Sequence, residues 1–597
     1  MGETDRAIYL GTLTPGADVD HRGTPFTSGL LRELLAALAG PAAEQPVLGK
    51  AWFAEAFFDD DAQFNGVVFN GDAWFSRARF SGKIQFFDAK FSRDAVFNEA
   101  MFERDAQFDY SRFEGEGRFS DVTFGGEARF EKAKFCAGAR FVDAVFDGPA
   151  WFLDVNIEDA AMFSGVKFGS DAWFSGAEIG NDAMFVGARF DGPARFDGVV
   201  IAGYSMFGGA TFSDEIIFGE ARFDSSVTFK RAKFESAGAL GPLVCAGTLN
   251  FSEAVFGAAV TIEAVSAGLL CRRTRWFSTA ALRLRYSAVD LSDAVVEYPV
   301  SISARSRPFI GDAGDIAEPG FVDPRVRVMS LRGVDAAHLV LTDIDLADCR
   351  FAGTIHLDQL RLEGRYTLAV APSGLRWRGV RPVRWTPRRT LAEEHHWRAT
   401  RSADGWTPAP EEEEALEPAA LAPVYRQLRK SFEDSKHEPG AADFYYGEME
   451  MRRHADDIPW AERALLTAYW ALSGYGLRAS RAVGWLLAAM TATVLAMMLW
   501  GLPQDSSKPI STGTLNGRNI TMTTDTPDPV NPTGPWSERL STERFEKSLR
   551  VVINSVVFRS SGQDLTTAGT YTEMASRFTE PVLLGLAILA VRGRVKR

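Results

Sequence analysis

The sequence has few cysteines, no excess of positive charge and no catalytic motif in a productive context. Its 597 residues contain four cysteines, which lie far apart and never form a CxxC pair, so a disulfide scaffold and a zinc ribbon are excluded. Acidic residues outnumber basic ones by 78 to 65, and a basic surface for nucleic acid is therefore not indicated. Because GxSxG, P-loop, HExxH and dinucleotide fingerprints are missing, we expect no enzyme activity, no cofactor and no metal.

Phenylalanine, by contrast, is abundant and regularly spaced. The chain has 45 phenylalanines but 12 tyrosines. From Phe58 to Phe234 the gaps alternate between six and five residues, and every position of this lattice is Phe except Ile157, Ile179 and Ile201. A small or β-branched residue, such as Ala62 before Phe64, lies two positions before each lattice site.

This spacing predicts short strands joined by corners. Gaps of five and six cannot hold one helical face, whereas a small residue and a Phe in alternation place two inward side chains on one short strand. Turn-forming pairs, such as Asn65-Gly66 and Asp191-Gly192, follow at the corners. A chain that turns this often coils into a solenoid whose coils pair as parallel strands about 4.8 Å apart.

The lattice resembles the pentapeptide-repeat family over roughly residues 51–370. That resemblance implies a mainly β fold, a right-handed quadrilateral β-helix. The chain departs from the plain five-residue pattern by one extra residue in every second unit, which predicts coils of about 22 residues. A plain five-residue register follows near Tyr286 and again from Leu331, and we expect residues 303–326 to form a loop outside the solenoid. Cys245 and Cys349 are predicted to be small buried side chains.

The remaining segments predict a capped, membrane-attached protein. Residues 1–50 contain an amphipathic segment that is expected to cover the first coil. Residues 371–420 read as an irregular linker and residues 421–460 as a helical hairpin. The hairpin resembles a segment that precedes the membrane helix in bacterial membrane-attached pentapeptide-repeat proteins. Residues 461–597 are predicted to form the membrane domain.

Two apolar stretches define that membrane domain. Residues 482–502 carry no charge and are long enough to cross a bilayer, and a shorter stretch covers about 574–591. Arg478 and Arg481 precede the first stretch, and four basic residues follow the second. With no secretory signal at the N-terminus, the positive-inside rule places the solenoid and the C-terminus in the cytoplasm and the loop 503–572 outside the cell membrane.

An acidic residue often lies three positions before a lattice Phe, which suggests a charged surface. With 22 residues per coil these residues form two rows on opposite edges, and they favour a basic protein partner. The alternative is that they suit corners and keep the rod soluble. The first row is Asp61, Asp105, Glu127, Asp171 and Glu215, and the second is Asp72, Asp94, Glu116 and Asp182.

Three functions remain open at this point. The leading interpretation is a non-enzymatic, membrane-anchored solenoid that binds an unidentified protein partner. The second is a homo-oligomeric ion channel of the two-helix, pore-loop type, with Glu580 at the pore and residues 545–562 as an amphipathic re-entrant helix whose apolar face carries Leu549, Ile553 and Val556. The third is a DNA-mimic inhibitor of a topoisomerase, a role that the family resemblance implies for some members. We expect no binding of nucleic acid.

Overall fold

The chain divides into two compact units, Met1–Ala415 and Leu416–Arg597. The computed structural model describes residues 3–39, 45–236, 238–312, 314–378, 381–401, 405–410, 414–504, 508–517, 519–557 and 559–595.

The first unit is a parallel β-solenoid of about 15 turns, and the predicted fold is confirmed. Each coil has four two-residue strands, and each strand pairs with the strand 22 residues further on, as Lys90 pairs with Arg112 and Met101 with Thr123. The alternating gaps of six and five thus add up to one coil, which the lattice predicted.

The short strands form four faces, which we number in chain order. The first face contains Val47–Leu48, Val68–Phe69, Lys90–Phe91, Arg112–Phe113, Lys134–Phe135, Asn156–Ile157, Glu178–Ile179, Val200–Ile201 and Arg222–Phe223. The second contains Val19–Asp20, Ala51–Trp52, Ala73–Trp74, Ala95–Val96, Gly117–Arg118, Ala139–Arg140, Ala161–Met162, Ala183–Met184, Ser205–Met206 and Val227–Thr228. The third contains Pro25–Phe26, Phe57–Phe58, Arg79–Phe80, Met101–Phe102, Thr123–Phe124, Val145–Phe146, Lys167–Phe168, Arg189–Phe190, Thr211–Phe212, Lys233–Phe234, Val255–Phe256, Arg275–Trp276 and Val295–Val296. The fourth contains Ala62–Gln63, Ile84–Gln85, Ala106–Gln107, Ala128–Arg129, Ala150–Trp151, Ala172–Trp173, Ala194–Arg195 and Ile216–Ile217.

Stacked phenylalanine rings fill the axis of the solenoid. Phe130 is fully buried, and its ring lies parallel to those of Phe108 and Phe152, at centroid distances of 4.8 and 5.0 Å. Phe119, from another face, meets Phe130 edge to face at 5.5 Å and 87°. Parallel stacking follows from the strand separation, and the edge contacts suit the ring quadrupoles. The small residue two positions earlier, here Ala128, is also fully buried and leaves room for the rings.

Two kinds of corner explain the alternation of five and six. The shorter corner carries a residue in the left-handed region once every eleven residues, for example Glu55, Gly66 and Arg77, with φ between 57° and 66°. At the longer corner a different constraint operates, because a Cβ on Gly82 would lie 2.4 Å from the backbone of Asp60 in the neighbouring coil. The turn-forming pairs therefore serve either a left-handed conformation or a close approach of two backbones.

The last coils change register, as the sequence pattern predicts. Val255 pairs with Arg275, 20 residues on, and Arg275 pairs with Val295. The strands here are Ala239–Asn250, Val260–Leu270, Ala280–Arg285, Ala288–Asp290, Val300–Ala304, Arg327–Ser330, Leu339–Thr342, Asp345–Leu346, Arg361–Glu363 and Thr367–Val370.

The predicted loop at 303–326 folds back onto the solenoid instead of projecting from it. The short strands Ile310–Gly311 and Gly314–Asp315 pair within it. A salt bridge between Arg285 and Glu318, 2.6 Å long and almost fully buried, fixes the loop to the coil beneath.

Both ends of the solenoid are covered. Helix α1 spans Glu3–Thr12, and helix α2 spans Ser28–Ala39 and turns Leu31, Leu34, Leu35 and Leu38 inward. Because α2 is inserted between the first strands, the parallel strands begin at Val19 and not at the expected boundary near residue 51.

The expectation of an irregular linker at 371–420 is wrong for part of that segment. It contains the strands Leu375–Arg378, Arg381–Arg384 and Arg389–Thr390 and helix α3, Ala392–Thr400. The buried Glu393 accepts hydrogen bonds from the N–H groups of Phe351 and Ala352, so α3 satisfies backbone donors that the last coil leaves open. Residues 379, 380, 402–404 and 411–413 of the expected linker lie outside the described residues.

The second unit is helical. Its helices are α4 (Pro418–Asp434), α5 (Glu438–His454), α6 (Trp460–Ser473), α7 (Ala479–Ala496), α8 (Trp536–Arg539), α9 (Thr542–Val556) and α10 (Thr567–Val595). A π-helical turn, Met497–Gly501, extends α7, and the strands Ile510–Asn516 and Asn519–Asp525 form a hairpin. Helices α4 and α5 occupy the predicted hairpin segment and are held together by Glu448, which binds Arg426 and Arg429 at 2.8 Å each.

Two helices have the length and composition to cross a membrane, Ala479–Gly501 and Thr567–Arg592. The second is longer than the expected stretch 574–591, and it starts inside the expected loop 503–572, because α10 continues without a break past Pro581. Lys596 and Arg597 of the predicted C-terminal basic segment lie outside the described residues.

Removing one ring from the axis tests the packing directly. We expect Phe130→Ala to lower the free energy of unfolding by about 3–5 kcal/mol, because a cavity opens in a stack that cannot collapse around it. Denaturant-induced loss of β-sheet circular dichroism measures the change. Phe87→Ala is the matched control, since Phe87 lies next to lattice Phe86 but is 42% exposed; an equal loss in both variants would contradict the inward assignment.

Candidate functional site

The two acidic rows lie where the sequence places them. The row Asp61, Asp105, Glu127, Asp171 and Glu215 precedes the strands of the fourth face, and the row Asp72, Asp94, Glu116 and Asp182 precedes those of the second face. These two faces are opposite each other in the four-sided coil. The side chains are half-buried, except for the exposed Asp61 and Glu215.

Many of these carboxylates bind the backbone of the neighbouring coil. Oδ1 of Asp182 accepts a hydrogen bond of 2.8 Å from the N–H of Tyr204, 22 residues further on, and Oδ1 of Asp61 accepts one of 2.9 Å from Lys83. Asp94 and Asp105 do the same for Glu116 and Glu127. A corner N–H that strand pairing leaves open is thus satisfied by the preceding coil.

Basic side chains neutralise much of the charge that remains. Lys83 forms a salt bridge of 2.9 Å with Asp105, and its ammonium group holds the pKa of that carboxyl below the ordinary value. Arg118 lies 3.2 Å from Asp94 and 2.7 Å from Glu116. In these coils the rows are therefore ladders of paired charges, and the pairing weakens the case for a DNA mimic.

Exposed aromatic ladders lie beside the acidic rows. Trp151 and Trp173 stack on the fourth face, 5.1 Å apart and 9° from parallel, and the guanidinium of Arg195 lies 4.7 Å above the Trp173 ring. Trp52 and Trp74 stack in the same way on the second face, at 5.5 Å. Each tryptophan is half-buried, so one edge of every ring stays available for contact.

The cysteines differ in exposure. Cys245 and Cys349 are fully buried, which confirms their prediction as small core residues, and Cys271 is buried too. Burial raises the pKa of the Cys245 thiol to about 11. Cys136 alone among the four is half-buried.

Helices α7, α9 and α10 pack together in the second unit. Glu580, which the sequence suggests for a pore, is fully buried within α10. Arg544 of α9 donates hydrogen bonds to the carbonyls of Met498, Leu502 and Pro503, so it closes the C-terminal end of α7. Charged groups of this unit thus serve its packing, except for Glu580.

The predicted apolar face of α9 is wrong. Ile553 is 54% exposed, whereas Val551, Val552, Ser548 and Ser555 are fully buried. Small hydroxyl side chains at the contact allow α9 to approach its neighbours closely, and this outweighs hydrophobicity in choosing the buried face. Ser548 and Ser555, seven residues apart, are the signal that reasoning from apolar side chains alone missed.

No group of three or more His, Cys, Asp or Glu side chains in the described ranges is placed to hold a metal ion. A shallow depression of about 570 Å³ lies beside the returned loop, between Asp197, Glu220 and Asp312. Glu220 accepts a hydrogen bond from the N–H of Asp312 there, so this carboxylate fixes the loop.

The fold and its ladders define a parallel β-solenoid built from five-residue units. The family model for pentapeptide repeats matches the chain in nine copies, among them residues 86–134, 108–156 and 152–200. The chain belongs to the pentapeptide-repeat family. Comparison with curated proteins and with solved structures gave no match.

Asp182 separates the structural role of the acidic rows from a charge-dependent one. Asp182→Asn keeps the oxygen that accepts the N–H of Tyr204, as Asn65 and Asn98 do for their neighbouring coils, so we expect no measurable loss of stability. Asp182→Ala removes the acceptor and should cost about 1 kcal/mol in the free energy of unfolding. Chemical denaturation of both variants measures the difference, and equal stabilities would contradict the proposed backbone contact.

Proposed function

We propose that this protein is a membrane-anchored scaffold, without enzyme activity, whose solenoid presents a protein-binding surface in the cytoplasm. The observation that carries the proposal is the division of labour within each repeat. The inward positions are occupied by closely packed Phe and small residues, so variation between coils is confined to the outward side chains. A pentapeptide-repeat solenoid of this kind offers ladders of surface groups and no interior for a substrate.

Exposed apolar side chains on α7 and α10 support the membrane anchor. Leu487 and Leu495 of α7 and Phe578, Ile588 and Leu589 of α10 are each about half exposed or more. The candidate spans bury only 33% and 22% of their most apolar windows. The core helix of a soluble protein would hide such side chains, whereas a lipid bilayer covers them without cost.

The fourth face is the proposed binding surface. It combines the stacked pair Trp151 and Trp173 with the acidic row at its edge, where Asp171 lies two residues before Trp173. Aromatic rings supply most of the contact energy in protein interfaces, and neighbouring carboxylates favour a basic partner and speed its approach. We therefore propose a protein segment with basic and apolar side chains as the partner.

The ion-channel function remains a second candidate because of one observation. Glu580 is buried in an apolar helix, and ionisable groups in such positions tend to be functional. A purified protein that conducts ions in a planar bilayer, and loses conductance in Glu580→Gln, would favour this candidate over the scaffold.

Cysteine labelling in intact cells tests the anchor and its orientation. We expect Thr514→Cys, in the exposed hairpin 510–525, to react with a membrane-impermeant maleimide from outside, and Cys136 of the solenoid to react only after permeabilisation. Burial raises the pKa of the Cys136 thiol, so labelling needs a mildly alkaline buffer. Cys136→Ser is the control. The reverse pattern would overturn the orientation, and release of the protein by alkaline carbonate would overturn the anchor.

Proximity labelling from the full chain tests the binding surface. We expect Trp151→Ala combined with Trp173→Ala to lose a defined subset of labelled neighbours, because the rings supply contact area on the fourth face. Trp52→Ala combined with Trp74→Ala is the matched control, since the same stacked pair there lies on the opposite face. Identical losses from both double variants, or no loss from either, would contradict the proposal.

A further inference from the structure

The second unit buries a carboxyl group that the rest of the protein does not neutralise. Glu580 is 0% exposed and lies in the apolar stretch of α10. Neither of its carboxyl oxygens has a hydrogen-bond partner in the part of the chain that the structure describes. A carboxylate in such surroundings is costly unless it is paired, so the neutral acid is the favoured form.

The hydroxyl group that faces Glu580 supports the same protonation state. Thr493 of α7 lies beside the carboxyl group, but its hydroxyl proton is donated to the carbonyl of Ala489 at 3.0 Å. The Thr493 oxygen can therefore accept a hydrogen bond from a carboxylic acid, whereas it has no proton left for a carboxylate. The geometry discriminates between the two forms of Glu580.

The charged groups on the neighbouring helices are engaged elsewhere. Arg577 lies three residues before Glu580 but makes no ion pair with it. Arg481 at the start of α7 donates to the carbonyl of Trp470. The other charged contacts on α6, α9 and α10 are Glu462 with Arg452, Arg463 with the carbonyl of Ala455, Arg544 with the end of α7, Lys547 with Glu543, and Glu573 with the N–H of Ser561; Glu546 and Arg550 of α9 are exposed.

The same bundle contains further polar groups without protein partners. The hydroxyls of Ser548 and Ser555 are buried, and neither has a hydrogen-bond partner among the described residues. Both lie on the face of α9 that packs into the bundle with α7 and α10. Buried polar groups that the chain leaves open are usually served by internal water, and such water gives a buried acid a route for proton exchange.

We propose that Glu580 is a proton-binding site enclosed by α7, α9 and α10, which holds its proton near neutral pH and exchanges it through the polar interior of the bundle. The site goes beyond a scaffold function, because a tether needs no buried acid. It involves no residue of the solenoid, so it can be tested separately from the proposed binding surface.

A hydrophobic carbodiimide is the direct probe of such a site. Dicyclohexylcarbodiimide adds the O–H of a protonated carboxyl group across one C=N bond, and an acyl shift from oxygen to nitrogen then leaves a stable N-acylurea without any other reagent. In the full-length protein in native membranes, mass spectrometry should find Glu580 labelled at about pH 7 at least about tenfold more than Glu573, a difference that corresponds to one pKa unit or more. The labelling should fall as the pH rises.

Two variants and a second reagent serve as controls. Glu580→Gln should abolish the mass addition, and Glu573→Gln should leave it unchanged, since Glu573 is also buried but accepts a backbone hydrogen bond. Equal labelling of Glu580 and Glu573, or labelling by a water-soluble carbodiimide as fast as by the hydrophobic one, would overturn the proposal.

Infrared spectroscopy covers the case in which the reagent cannot enter the bundle. The difference spectrum between the wild-type protein and Glu580→Gln should contain the carbonyl band of a protonated carboxylic acid at neutral pH, and the band should disappear on alkalinisation. If Glu580 gives neither the carbodiimide adduct nor this band, the proposal is wrong.

Discussion

The stacking of aromatic rings along the solenoid axis is the interaction on which the rest of the first unit depends. Parallel strands fix the distance between coils, and a phenylalanine ring is thick enough to fill that distance in contact with the ring above. Ile157, Ile179 and Ile201 show the same constraint, because they follow one another on the first face. A substituted position is tolerated where the neighbouring coils change with it, so the side chains match in shape along a column.

That interior decides what the surface can do. With the axis closed by packed rings, the polar side chains lie outside and repeat at fixed intervals, and they first serve the coils themselves. Asp61, Asp94, Asp105 and Asp182 satisfy backbone donors of the next coil, and basic residues pair with their neighbours. An acidic row in a solenoid is therefore partly a structural element, and recognition depends on the groups that interrupt the regularity, such as the paired tryptophans.

The helical unit follows different rules. Its contacts are made by small residues, as where Gly501 and Gly569 approach so closely that a Cβ on either would collide with the other's backbone, and by buried hydroxyl groups on α9. Charges are placed at helix ends or in pairs. Glu580 departs from this order, and a departure of that kind in a close-packed bundle is more readily explained by proton binding than by packing.

The amino-acid sequence by itself determined the solenoid, its 22-residue coil, the inward side chains and the two apolar helices, because each of these follows from local periodicity. Spacing also placed the acidic rows and the tryptophan pairs on opposite faces. Only the tertiary structure showed that Asp carboxylates bind the next coil, that α3 covers the last coil through Glu393, and which face of α9 is buried. These features depend on which groups meet across 20 or more residues, and the hydrogen-bonding needs of a distant backbone leave no periodic signal in the chain.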